Sequence, residues 1–277
     1  VRLRTGRTNT VSLALTAERE IMNHTAVLIS AIAGELRETR FHVNVSPYFP
    51  DENPLDPVIR LVEAGSSDAI ILNQTQPDDP RVRYLLQKGV PFATHGRTEM
   101  GIEHPYFDYD NVAFGRLAVR KLVRRGCRSI RMITAPRAQT FAGHMIAGAR
   151  DEAKALGVVF DVEEEVDDTT PTSQVMDCVQ RRLAEAPEID AFIASAPILA
   201  IAVVSAAEAV GRTLGQNIQV ATKEATPFLN LLRKDIIAFP EDASRAGSFL
   251  ARAVLRALNE PDSPPLQELE VPTDDMR

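Results

Sequence analysis

The sequence has no continuous apolar run of about 18 residues, so it contains no segment able to cross a bilayer as a helix. Its start shows no charged stretch leading into an apolar segment and a small-residue cleavage site, the pattern of an export signal. Cysteine is nearly missing. Cys127 and Cys178 stand apart, and neither sits in a CxxC pair or beside a histidine at metal-ligand spacing. Two reduced thiols in a cytosolic protein are expected, with a single disulfide left open.

The signatures of common catalytic chemistries are missing as well. There is no GxxxxGK[ST] loop and no strand-linked GxGxxG, which excludes the usual nucleotide and dinucleotide cradles. No HExxH and no GxSxG elbow is found. The net charge of −7 gives this chain no basic face for neutralising phosphates, which argues against its gripping nucleic acid directly. Only the first residues run the other way: Arg2, Arg4 and Arg7 precede any acid.

What is present is ordinary globular material, 277 residues with 44% hydrophobic and 25% charged side chains, arranged with regularity. Short apolar runs such as "TVSLALT", "DAIILNQ", "RSIRMITA" and "DAFIASA" read as buried strands. Between them lie amphipathic stretches closed by glycine: "DPRVRYLLQKG", "NVAFGRLAVRKLVRRG", "FAGHMIAGARDEAKALG" and "PILAIAVVSAAEAVG". Strands alternating with helices of roughly 10–15 residues predict parallel sheets covered on both faces. There are too many units for one open sheet, and they divide near "YFDYDN". The expected fold is α/β, with two doubly wound parallel-sheet lobes and a ligand cleft between them. In such sheets ligands bind beyond the carboxyl ends of the strands.

Few polar residues stand out. Of the five histidines, His95 and His144 follow strands in this reading, although a hydrogen-bonded, non-catalytic histidine is the commoner case. Asp108 and Asp110 resemble a carboxylate pair, but Asp110 or Asn111 suits a helix N-cap. The run "EEEVDD" reads as a solvated strand end. Lys223 is unusual inside the apolar strand "IQVATKEA", where a lysine needs an ionic partner or a ligand. Glu224 points to the other face, so the two are not a simple pair.

Several stretches taken together resemble the lactose-repressor (LacI/GalR) family of transcription regulators, whose ligand-binding core is like that of periplasmic sugar-binding proteins. "SSDAIILN" is similar to the family's "vDGiI" strand, "GVPFATHGRT" to "iPvV.iDR", and "FDYDNVAFGRLAVRKLVRRGCRSIRMI" to "V..Dn..g...a..hL...GhrrIa.i". "IDAFIASAPILAIAVVSAAEAVG" and "FPEDASRAGSFLARAVLRAL" continue the correspondence through nearly the whole chain.

The resemblance implies the rest. The basic lead "LRTGRTNT" looks like the junction to an N-terminal helix-turn-helix DNA-binding domain that this chain does not include. The core implied is a homodimer, with operator DNA reached through that other domain, a small-molecule effector, no membrane, no cofactor, no metal and no catalytic residue. The implied lobes are 1–107 with 242–262, and 108–241 with 263–277. The dimer surface is expected on the first helix and the N-terminal lobe. Effector contacts carry over to Ala17, Glu18 and Ile21, to Asn73, to His95 and Arg97, to His144 and Met145, to Ser195, Lys223 and Glu241. The aspartate of "iDR" falls at Gly96, so that carboxylate is missing, and Lys223 stands where an acidic sugar contact is usual. Lys223, with His95 or Arg97, suits a carboxylate or phosphate, whereas Glu241 suits hydroxyls; the effector implied is a sugar or a sugar-acid-like metabolite. A periplasmic sugar-binding protein of a transporter is the alternative. An enzyme using Asp108 with His95 or Glu241 is a third reading, and fold alone supports no chemistry for it.

Overall fold

The computed structural model describes residues 7–16, 24–49 and 51–273. Along these residues the elements are β1 (Thr10–Thr16), α1 (His24–Leu36), β2 (His42–Tyr48), α2 (Leu55–Glu63), β3 (Ala69–Leu72), α3 (Pro80–Lys88), β4 (Phe92–His95) and β5 (Tyr106–Tyr109). There follow α4 (Asn111–Arg124), β6 (Ser129–Ile133), α5 (Thr140–Leu156), β7 (Val159–Val162), α6 (Thr172–Glu185), β8 (Ala191–Ala194), α7 (Pro197–Ala209) and β9 (Gln219–Glu224). The chain closes with a single turn, α8 (Leu229–Leu232), then β10 (Ile237–Pro240), α9 (Ala243–Asn259) and β11 (Gln267–Glu270).

The ends of the helices follow from local chemistry. Asp79, Asp110 and Asp242 each accept a backbone N–H in the first turn of α3, α4 and α9, from Arg81, Ala113 and Arg245. These caps satisfy donors that the helix itself leaves without a partner.

The strands form two sheets with one plan. The first has the order β11-β5-β4-β3-β1-β2 and the second β10-β9-β8-β6-β7. Read outward from β1 and from β6, both follow the doubly wound order 2-1-3-4-5, with the order reversing between β1 and β3 and between β6 and β8. The pairs within β1–β4 and within β6–β10 are parallel. The central strands β3 and β8 are buried along their whole length, as parallel strands covered on both faces must be.

A shared detail fixes the amino ends of both sheets. Asp68, just before β3, accepts the N–H groups of Thr8 and Asn9 at 2.9 and 2.8 Å. Asp190, just before β8, accepts those of Arg128 and Ser129 at 2.7 and 3.0 Å. The carboxylates of "DAIIL" and "DAFIA" therefore do the same task, holding the entry of the neighbouring strand. In the second unit, α4 and α5 cross so closely that a side chain at Gly115 would meet the carbonyl of Met145, and one at Gly148 the carbonyl of Val112.

The chain divides into two compact units: residues 1–108 with 242–270, and residues 109–241 with 271–277. The second crossing falls where the sequence suggested. The last segment does not. Residues 263–270 belong with the first unit, because β11 lies beside β5 in its sheet and the Tyr106 N–H donates to the Leu266 carbonyl. A terminal strand's pairing partner lies far away in sequence, so local pattern carries no signal for it.

Candidate functional site

By the switch-point rule, ligand groups are sought where strand order reverses, beyond the carboxyl ends of β1/β3 and of β6/β8.

In the first unit, Asn73 follows β3 directly and is nearly buried. Its side-chain oxygen accepts the Thr16 N–H at the end of β1, at 3.2 Å. His95 ends β4, stacked on His24 at 5.0 Å between ring centroids and on Phe107 at 6.3 Å. Arg97 donates through Nε to Asp108 at 2.7 Å, so this carboxylate is engaged by a cation. Gly96 explains why the expected aspartate is missing. Its φ is +111°, where L side chains are strained, and a Cβ there would stand 2.6 Å from Thr75 Oγ1. Thr75 in turn donates to the Arg97 carbonyl at 2.8 Å. Ala17, Glu18 and Ile21 lie outside the described residues.

In the second unit, Thr134 follows β6, Thr140 opens α5 and Ser195 follows β8. All three are nearly buried, with hydroxyl oxygens that have no hydrogen-bond partner among the described residues. Buried polar groups are normally satisfied, so hydroxyls left open at a switch point are places for an external hydrogen-bonding molecule. Lys223 and Glu241 come together: Lys223 Nζ lies 3.5 Å from a Glu241 oxygen and donates to Asn111 Oδ1 at 3.0 Å. The same ammonium sits over the rings of Tyr109 and Phe141, at 5.0 and 5.2 Å from their centroids. Glu224, its neighbour in sequence, instead accepts the Leu229 N–H at 3.2 Å. Burial pushes the Glu224 carboxyl above its usual range, opposed by that hydrogen bond.

Two expected contacts lie on α5. His144 is in its second turn. Met145 is fully buried in the core that also holds Phe114, Ala149 and Phe239, on the helix row packed against α4. Met145 shares its helix face with Phe141, one turn earlier, which packs against the same core and reaches Lys223 at the end of the helix. Residues that sequence reasoning passed over are Tyr109, Asn111 and Phe141 around Lys223, and the hydroxyls of Thr134 and Thr140. The only advance signal for them was their position just past a strand or at a helix start.

The family described as "Periplasmic binding protein-like domain" matches residues 119–276. The chain belongs to this family. Two of its relatives are HTH-type transcriptional regulators. It is 32% identical over 135 residues to the HTH-type transcriptional regulator RafR of Escherichia coli, covering 48% of this chain and 40% of that protein. It is 25% identical to AglR of Rhizobium meliloti (strain 1021), another HTH-type regulator, over 97% of this chain and 77% of the relative. The stretch matched in RafR is thus less than half of that regulator's length. Among solved structures, the "transcriptional regulator CelR-cellobiose complex" superposes with a TM-score of 0.81 at 20% identity, covering 96% of this chain and 83% of that one. A LacI-family regulatory protein from Chloroflexus aggregans gives 0.79 at 18% identity, over 96% of each chain. These likenesses establish the two parallel-sheet lobes as the fold of LacI-type cores. The transporter reading finds no support among them.

Proposed function

We propose that this chain is the effector-binding and dimerisation core of a LacI-type transcription regulator, and that its effector is a neutral sugar. Operator DNA is read by a helix-turn-helix domain of the whole protein, in keeping with the "HTH-type" relatives and with a core whose net charge of −7 does not suit phosphates. The regulator acts in the cytoplasm as a homodimer. Effector and operator affinities are coupled reciprocally, and the bound sugar is not consumed.

The observation that carries the ligand class is the Lys223–Glu241 pair. A lysine taken alone suggests an anionic effector. Paired with a carboxylate at 3.5 Å, an amide oxygen and two aromatic faces, its charge is already balanced. The pair then offers a donor and an acceptor of fixed position, which suits adjacent sugar hydroxyls better than a second carboxylate. The relative captured as a cellobiose complex agrees with this class.

Calorimetric titration at pH 7 tests it, with cellobiose and cellobionic acid as probes. Uptake of cellobiose with weaker uptake of the acid is expected, and the sugar should be recovered intact. Tighter binding of the acid than of its neutral parent would overturn the neutral-sugar reading.

A further inference from the structure

Arg81 is 1% exposed and its partner Asp79 is 0% exposed, a fully buried charge pair at the start of α3. The guanidinium grips the carboxylate as a fork, Nε to Oδ1 at 3.0 Å and Nη2 to Oδ2 at 2.7 Å. The same carboxylate accepts the N–H groups of Arg81 and Gln76, at 2.9 and 3.0 Å. Capping α3 needs only Asp79, and a buried arginine is a costly way to assist a cap.

The other side of the guanidinium shows what the arginine adds. Nη2 also faces the carbonyls of Asn73 and Gln74, each at 3.1 Å. Nη1 donates to the Tyr48 hydroxyl at 2.9 Å. That hydroxyl lies 2.9 Å from Thr16 Oγ1, which is itself 2.5 Å from Gln74 Oε1. Tyr48 ends β2, Thr16 ends β1, and Asn73 follows β3. One cation therefore ties together the carboxyl ends of three adjacent strands at the point where strand order reverses. Gln74 sits there at φ +49°, a left-handed conformation that costs a non-glycine residue about 1 kcal/mol and needs outside support.

We propose that Arg81 is a positioning residue: it fixes the backbone of Asn73 and Gln74, and with it the amide side chains that the first unit brings to its ligand edge, without touching the ligand. The consequence for binding rests on the neutral-sugar reading above; the consequence for the backbone does not. Arg81→Lys keeps a cation beside Asp79 but cannot reach the carboxylate, two carbonyls and Tyr48 at once. Tyr48→Phe removes only the link to β1 and β2.

Hydrogen exchange of the full chain, read by mass spectrometry, and titration with cellobiose test this together. In Arg81→Lys, exchange across residues 73–76 should rise about tenfold or more, with α3 and β3 remaining protected. Cellobiose affinity should fall by about tenfold or more, because small misplacements of binding groups are costly. Tyr48→Phe should give a smaller rise at 73–76 and a smaller fall in melting temperature than Arg81→Lys, since it leaves one buried donor without a partner, and it keeps the test valid if the lysine variant folds poorly. Unchanged exchange at 73–76 in both variants, or loss of protection spread evenly over the first unit, would overturn the proposal. If the unaltered protein does not take up cellobiose, the ligand assignment fails, and the exchange pattern alone decides the role of Arg81.

Discussion

Lys223 and Glu241 meet at the carboxyl ends of β9 and β10, ammonium to carboxylate at 3.5 Å, with side chains 7% and 12% exposed. The strand pairing makes this possible. Phe239 is the register partner of Lys223, and the Glu241 N–H donates to the Glu224 carbonyl, so β10 delivers its next side chain beside the lysine. Removing one partner leaves the other buried and uncompensated. Lys223→Met alone should cost about 3 kcal/mol in urea unfolding, and Lys223→Met with Glu241→Leu should recover most of that loss. Neither variant should bind sugar as the unaltered chain does. A double variant no more stable than the sum of its two single changes predicts would show that the two groups do not act as a pair.

The crossing of α4 and α5 makes a second, purely steric prediction. Gly148 lies where a Cβ would collide with the Val112 carbonyl, backbone against helix backbone, with no flexible side chain to yield. Gly148→Ala should destabilise the chain by about 2 kcal/mol or more through overpacking. Gly143, in the same helix, has open space around it and should accept alanine with a small gain from helix propensity. Thermal melts of the two variants check this. Equal melting temperatures would mean that the helices separate freely.

Much of this architecture is readable in the sequence, because it rests on local rules. Buried strands show as short apolar runs, helices stop at Gly89 and Gly157, both with positive φ, and Asp110 caps α4 as its position before the helix suggested. Lys223 was visible as a lysine in an apolar strand. Its partner was not, because Glu241 lies beyond the next strand and only register brings it near. Arg81 is hidden for the same reason: "DPR" reads as a helix start, and nothing local says that the arginine turns back to the carbonyls of residues 73 and 74 and to Tyr48. The swap of residues 263–270 into the first unit and the departure of Met145 into the core are likewise facts of tertiary packing.

The two thiols test the core of the second unit. Cys127 and Cys178 are both buried and unpaired. Burial, with Asp190 nearby, pushes the Cys127 thiol up to about 12; burial, with Glu163 and Glu165, pushes Cys178 up to about 11. Since the thiolate is the nucleophile, the native chain should react with a disulfide reagent at pH 8 at least about 100-fold more slowly than the urea-unfolded chain. Unfolding should release both thiols. Fast labelling of Cys127 in the native protein would contradict its burial in the core just before β6.

Acid should loosen the same unit at a definable point. Burial alone would raise the Glu163 carboxyl, but Arg182 and the N–H groups of Glu165 and Glu164 overcome it and hold it down to about 2, against an ordinary 4.5. Arg182 Nε donates to Glu163 at 3.0 Å and Arg131 Nη1 at 3.2 Å. The folded chain thus resists a proton that the unfolded chain accepts. The stabilisation is complete above 4.5 and is lost as pH falls toward 2. With Glu163 5% exposed, its contribution is on the order of 2–3 kcal/mol. Urea midpoints of the unaltered chain and of Glu163→Gln should therefore differ most near neutral pH and converge as pH is lowered through this window. The other carboxylates titrate in both proteins and cancel from the difference. A gap that stays constant down to the acid limit would show that the native chain does not hold Glu163 ionised, and that the two arginines act on it only through packing.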